Sequence, residues 1–194
     1  MTKRRFIMFI KTISIDITKE DVDGLYLIIS QFILNGNLEI YKYLLYYNWF
    51  VITNSEFETI TFGEKLGKLL FEDSFIILKG DLASGKTTFT KGIGKGLGIN
   101  GVINSPTFTI LKIYQGRLPL YHIDAYRLEE SNYDLGFDEY DDGVMVIEWP
   151  KYYEKYLPNE YLKIELKYID DNTRSIDIKA IGNKYIKLKE AINV

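Results

Sequence analysis

Cysteine is absent from the 194 residues, so the chain can build neither a disulfide framework nor a thiolate metal site, and nothing in it marks an oxidising compartment. Long apolar runs are absent too. None reaches the roughly 18 residues that span a bilayer, and Phe6–Ile10, behind Lys3, Arg4 and Arg5, is cut off by Lys11, too early for a secretory signal. A cytoplasmic address without membrane attachment is the expectation. A basic surplus is also missing: the formal net charge is −3, so whole-chain electrostatics would not draw the protein onto nucleic acid, and any RNA would be held by a partner. What remains is an ordinary globular mixture, 46% hydrophobic and 26% charged, long enough for one domain with a full core.

Texture changes near Phe50. Residues 1–49 are rich in Ile, Leu, Tyr and Asn and carry no motif, and we read them as an N-terminal extension to a domain spanning 50–194. Two readings of the extension stand: a dispensable stretch such as a translated AT-rich upstream region gives, or a genuine addition with a helix near Val22–Leu34. From Phe50 the sequence alternates cleanly. Phe50–Thr53 reads as a strand, and Ser55-Glu-Phe-Glu58 as a capping box opening a helix to about Leu70. Ser74–Lys79 fits a buried parallel strand, followed by a glycine loop and a helix from Lys86 to about Leu97. Glycines 92, 94, 96 and 98 weaken that helix, so close packing against a sheet and, at Gly98, a helix stop are expected. Leu118–Asp124 and Val144–Glu148 read as buried strands ending in acids. Tyr161–Tyr168 and Arg174–Ala180 read as an antiparallel hairpin at the far edge, with a helix over 182–192 closing the chain. The fold expected is α/β: a mostly parallel sheet flanked by helices, with a C-terminal antiparallel hairpin.

The loop Gly80-Asp81-Leu82-Ala83-Ser84-Gly85-Lys86-Thr87 fits G-x-x-x-x-G-K-[ST], between a strand and a helix. Glycines let the backbone wrap a phosphate chain while consecutive N–H groups and the helix N-terminus, through Thr88, point at the anion. Lys86 supplies charge to the β- and γ-phosphates, and Thr87 offers a hydroxyl to Mg²⁺. Such a site needs an acid on a neighbouring strand to hold Mg²⁺ or orient water; Asp124 in Tyr121-His-Ile-Asp-Ala-Tyr-Arg127 and Glu148 in Val144-Met-Val-Ile-Glu-Trp-Pro150 both qualify. His122, the single histidine, reads as a packed, hydrogen-bonded core residue rather than a base. Asn104-Ser-Pro-Thr-Phe-Thr109 puts hydroxyls where a switch loop would face the γ-phosphate. Glu129–Asp142 holds seven acids and no base, a solvated face or a docking surface.

Taken together and in this order, the P-loop segment to Phe89, Ser105-Pro-Thr-Phe-Thr109, the Tyr121–Arg127 segment and Ile147-Glu-Trp-Pro150 resemble the TsaE (YjeE) family over about Phe50 to Arg174. The resemblance implies an ATPase required, with the TsaB, TsaC and TsaD proteins, for N6-threonylcarbamoyladenosine at position 37 of tRNA, with the tRNA reached through the TsaB–TsaD complex. It implies that Thr87 and Glu148 hold Mg²⁺, that Asp124 stands near the γ-phosphate, and that loss of Ser105 or Trp149 impairs activity. Two features depart from the family: its usual glycine at the fourth loop position is here Ala83, and residues 1–49 have no counterpart.

Three other functions use similar parts. A small-molecule kinase would clamp phosphates with an arginine lid, yet only Arg117, Arg127 and Arg174 follow the P-loop and no two are close in sequence. A GTPase needs a guanine-reading Asn-Lys-x-Asp, and Asn183-Lys-Tyr-Ile186 lacks the aspartate. A binding module whose nucleotide only controls assembly is open on sequence grounds.

Overall fold

A computed structural model of the chain describes residues 50–128, 140–150 and 157–192. The N-terminal extension, its expected helix and residues 129–139 of the acidic run lie outside them. In chain order the elements are β1 (Phe50–Thr53), α1 (Glu56–Leu69), β2 (Ser74–Lys79), α2 (Lys86–Gly96), β3 (Leu111–Tyr114), β4 (Leu120–Asp124), a 3₁₀ turn (Ala125–Leu128), β5 (Val144–Glu148), β6 (Tyr161–Tyr168), β7 (Arg174–Ile181) and α3 (Asn183–Ile192). The seven strands form one sheet in the order β1-β7-β6-β2-β5-β4-β3. β2 pairs in parallel with β5 and β6, and β5 with β4, whereas β1–β7, β6–β7 and β3–β4 are antiparallel.

β2 and β5 are near-continuous apolar runs because both sheet faces are covered. Alternate β2 residues feed two cores. Ile76 and Leu78 pack with Phe89, Ile93 and Leu97 of the α2 side, while Phe75 and Ile77 pack with Tyr121, Ile123, Met145 and Ile147 on the other. The β6–β7 hairpin forms as its alternation predicts but lies inside the sheet rather than at its edge. Leu162, Ile164 and Leu166 are fully buried beside β2, and β1 closes the sheet outside β7. α3 is anchored by Tyr185, whose buried hydroxyl accepts the Phe75 N–H at 2.6 Å; burial pushes its pKa up to about 12, keeping it neutral.

The helix ends use local chemistry. Ser55 caps α1 by accepting the Glu58 N–H at 3.1 Å, but the Glu58 carboxylate returns to the N–H of Asn54 at 2.8 Å, one residue earlier than a regular capping box. At the other end Arg117 donates to the carbonyls of Gly67 and Leu70, both at 2.7 Å. α2 stops in a Schellman motif: Gly98, at φ 75°, donates to Lys95 and Ile99 donates to Gly94.

Gly92 and Gly96 of α2 pack against α1 and not, as the glycine spacing led us to expect, against the sheet, while Gly94 faces the Ile103 side chain. A Cβ on Gly92 would stand 2.2 Å from the Ile60 carbonyl oxygen and one on Gly96 2.4 Å from that of Glu64. The contact is reciprocal, since a Cβ on Gly63 or Gly67 would come within 2.4 Å or 2.3 Å of the Phe89 or Ile93 carbonyl. Backbone therefore lies on backbone, and α2, which opens at the phosphate loop, is fixed to α1. Gly92→Ala gains about 1 kcal/mol of helix propensity but forces these backbones apart, which costs about 1–3 kcal/mol or more. Thermal denaturation of that variant should show a net loss, while Gly101→Ala, with nothing within 4 Å, should melt like the parent.

Candidate functional site

The loop between β2 and α2 ends on Gly85, the N-cap of α2, at φ 102° and with no side-chain cap. The first N–H groups of the helix are thus left for an anion. The Lys86 ammonium turns back into the loop, donating to the carbonyls of Gly80 at 2.8 Å and Asp81 at 2.9 Å. It lies 4.2 Å from the Trp149 ring centroid, a cation–π contact. Only 5% of Lys86 is exposed. Burial lowers its pKa from the ordinary lysine value, opposed by the charges of Glu148, Asp124 and Asp81.

Both acids sit at the end of a buried strand, and the parallel register sets Asp124 beside Glu148. Each is 3% exposed. Their partners divide them. Glu148 Oε1 accepts from Thr87 Oγ1 at 3.2 Å and faces His122 Nε2 at 2.9 Å. An ionised carboxylate only accepts, so Nε2 carries the hydrogen. Asp124 instead holds the loop that leads into β3: Oδ2 accepts from Thr107 and, at 3.5 Å, from Ser105, while Oδ1 accepts the Tyr126 N–H at 3.0 Å.

The site residues expected from sequence therefore fall into two contacting groups joined by the β4–β5 register. Lys86, Thr87, Glu148 and Trp149 form one, and Asp124 with Ser105 forms the other. Leu82, on the loop, points into solvent at 88% exposure. Two partnerships and one strand escaped the sequence reading. Thr107 is the closer hydroxyl to Asp124; His122 is the core residue expected, but its partner is Glu148; and β3 was not foreseen at all. From β3, Lys112 donates to the Ser105 carbonyl at 3.1 Å, and Tyr114 exchanges hydrogen bonds with the Asn104 backbone at 3.3 and 3.2 Å. The alternation Leu111-Lys-Ile-Tyr114 was the available signal.

Backbone strain gathers here. Ala83 (φ 63°), Ile110 (φ 67°) and Trp149 (φ 58°) are non-glycine residues in the left-handed region, and all three border the site. Ile110 is held by donating to Pro106, at 2.7 Å, and by accepting from Asp124 at 2.9 Å. The donor set fits Mg²⁺ in one particular way. Among the described residues no three His, Cys, Asp or Glu side chains converge as a metal cage. Thr87 and Glu148 converge as two oxygen donors, which suits an ion that keeps waters and takes its remaining ligands from phosphates.

Residues 53–176 match the family model described as "Threonylcarbamoyl adenosine biosynthesis protein TsaE". The chain is 50% identical over 121 residues to a Bacillus subtilis protein named "tRNA threonylcarbamoyladenosine biosynthesis protein TsaE", covering 61% of this chain and 77% of that one. A Treponema pallidum protein of the same name is 44% identical over 131 residues, with 66% of this chain and 97% of that one covered. Among solved structures, the one titled "Crystal structure of Bacillus subtilus YdiB" superposes with a TM-score of 0.66 at 38% identity, covering 75% of this chain and 94% of the other.

Ala83 occupies a conformation that glycine adopts without strain, which gives a physical reason for a glycine at this position. Left-handed backbone costs an L-residue about 1–2 kcal/mol, partly offset by the larger unfolded-state entropy of glycine. Ala83→Gly should therefore stabilise the domain by up to about 1 kcal/mol, read by urea or thermal unfolding.

Proposed function

The chain belongs to the TsaE family, and from that premise we propose that it is a Mg²⁺-dependent ATPase acting in tRNA threonylcarbamoyladenosine biosynthesis. The observation that carries the ATPase reading is the convergence of Lys86, Thr87 and Glu148 at the uncapped start of α2. Loop N–H groups and the Lys86 ammonium bind the β- and γ-phosphates. Thr87 and Glu148 hold Mg²⁺, which, when bound with the nucleotide, neutralises charge building on the phosphate oxygens. His122 fixes the Glu148 carboxylate, as outer partners of metal ligands do. Asp124 holds the Ser105–Thr107 loop over the γ-phosphate and orients the attacking water. Trp149 covers the Lys86 ammonium and keeps bulk water from it.

A kinase is the weaker reading, because the arginines after the P-loop are committed elsewhere. Arg117 caps α1, Arg127 packs on Phe108 at 4.5 Å, and Arg174 bonds backbone carbonyls of the β6–β7 turn. Without an arginine on the γ-phosphate, hydrolysis by the isolated chain is slow. Exposed Leu82 and Phe108, 88% and 84% accessible and on loops that border the phosphates, offer apolar ground for a partner. The TsaB–TsaD complex is that partner, with TsaC supplying the same pathway and tRNA engaged through the complex. Cytoplasmic location follows from this role; among the described residues no helix is long and apolar enough to cross a membrane.

Lys86→Ala should lower ATP affinity or turnover at least a hundredfold, since the loop loses its phosphate-directed charge; a variant that binds and hydrolyses ATP normally would refute the site. Glu148→Gln should raise the Mg²⁺ concentration for half-maximal turnover while leaving the melting temperature nearly unchanged. If only Asp124→Asn moves that Mg²⁺ dependence, Asp124 is the metal ligand.

Partner dependence is read separately. ATP hydrolysis by the isolated chain should be slow and should rise at least tenfold on adding TsaB, TsaD and tRNA. Fast turnover indifferent to partners would contradict the reading.

A further inference from the structure

Between the two groups of site residues stands one side chain that the function above leaves unused. The 3₁₀ turn after β4 carries Tyr126, whose N–H donates to Asp124 Oδ1 at 3.0 Å. Its ring meets the Trp149 indole edge-on, with centroids 5.2 Å apart and planes at 60°. The indole in turn lies 4.2 Å from the Lys86 ammonium. Tyr126 therefore touches both groups: through its backbone the acid that holds the Ser105–Thr107 loop, and through its ring the indole over the lysine. At 55% exposure the side chain adds little to either core.

We propose that Tyr126 is a positioning residue whose ring holds the Trp149 indole over the Lys86 ammonium; the proposal rests on the ATPase reading above. The indole needs such a hold. Trp149 follows the last residue of β5 and is only half-buried, so neither strand pairing nor a core fixes its ring. Its backbone lies in the left-handed region at φ 58°, and its N–H reaches the Leu78 carbonyl at 3.4 Å, longer than an ordinary hydrogen bond. An edge-on pair sets the electropositive rim of one ring against the face of the other, so it orients the indole as well as packing it. A displaced indole admits water to the ammonium, and water screens its attraction for phosphate. The turn that carries Tyr126 is itself pinned to the neighbouring loop, because Arg127 packs on Phe108 at 4.5 Å. The state of that loop is thus felt at Lys86 through two aromatic rings.

The test uses the full chain carrying Trp49→Phe, which leaves Trp149 as the single tryptophan. Acrylamide quenching of its emission, without nucleotide, reads how the indole is held, and calorimetry with Mg-ATP reads what that does to affinity. Tyr126→Ala should make Trp149 more easily quenched and weaken ATP binding about two- to tenfold, the worth of an edge-on aromatic pair. Tyr126→Phe keeps the ring and loses only the hydroxyl, so it should restore both readings, which a general loss of packing at the turn would not predict. Quenching in Tyr126→Ala equal to the parent overturns the proposal. So does a Tyr126→Phe variant as impaired as Tyr126→Ala, which would give the role to the hydroxyl. A more easily quenched Trp149 with unchanged ATP affinity overturns it as well, since the indole's place would then not matter to the nucleotide. A parent chain that binds no ATP would overturn the ATPase reading, while the quenching measured without nucleotide decides on its own whether Tyr126 holds Trp149.

Discussion

One buried positive charge organises the centre of this molecule. Lys86 is almost fully enclosed, and an ammonium taken from water without partners is costly. Here two carbonyls and an indole face take up part of that cost, and two carboxylates at the ends of β4 and β5 supply opposite charge nearby. Burial still lowers its pKa. The charge is therefore incompletely compensated by the protein alone. A polyanion laid along the loop would complete the balance, which is the physical basis of the phosphate site proposed above.

Holding that lysine requires a rigid frame, and the frame is made of backbone. The four-glycine contact between α1 and α2 brings helix carbonyls against glycine Cα atoms, a distance no side chain tolerates. α2 cannot shift without moving α1. On such a support the loop residues can be kept in conformations they would otherwise leave, and Ala83, Ile110 and Trp149 all sit at positive φ around the site. Strain of this kind persists only where surrounding structure over-determines it.

The parts legible in sequence were those whose signal is local. Continuous apolar runs gave β2, β4 and β5 within two residues, and the spacing of Gly80, Gly85, Lys86 and Thr87 placed the phosphate loop. What sequence could not show was which surfaces meet. The period of the α2 glycines reveals a close approach but not to what, and the answer was Gly63 and Gly67 of α1, not the sheet. β3 is four residues long, and none of its side chains is fully buried, so its alternation stood out little from the loop before it. The hairpin's inner place depends on β6 pairing with β2 across more than 80 residues of chain, which no local pattern encodes. His122 was read correctly as a bonded core residue, but its partner, Glu148, lies on another strand and only the register reveals it.

That register also decides how the two acids share the work. Asp124 and Glu148 are equivalent in sequence context and in burial, and lie side by side. They differ in what reaches them. The lone histidine and the P-loop threonine converge on Glu148, while both side-chain oxygens of Asp124 are already bonded to the segments that precede β3 and follow β4. A carboxylate committed to the Ser105–Thr107 loop is suited to fixing the position of that loop, and one that meets an imidazole and a threonine hydroxyl is suited to the cation of the proposed site. In the function proposed above, this division would give metal binding to one strand and loop control to its neighbour, so that a partner pressing on the exposed Phe108 would act through Thr107 and Asp124 without disturbing the metal side.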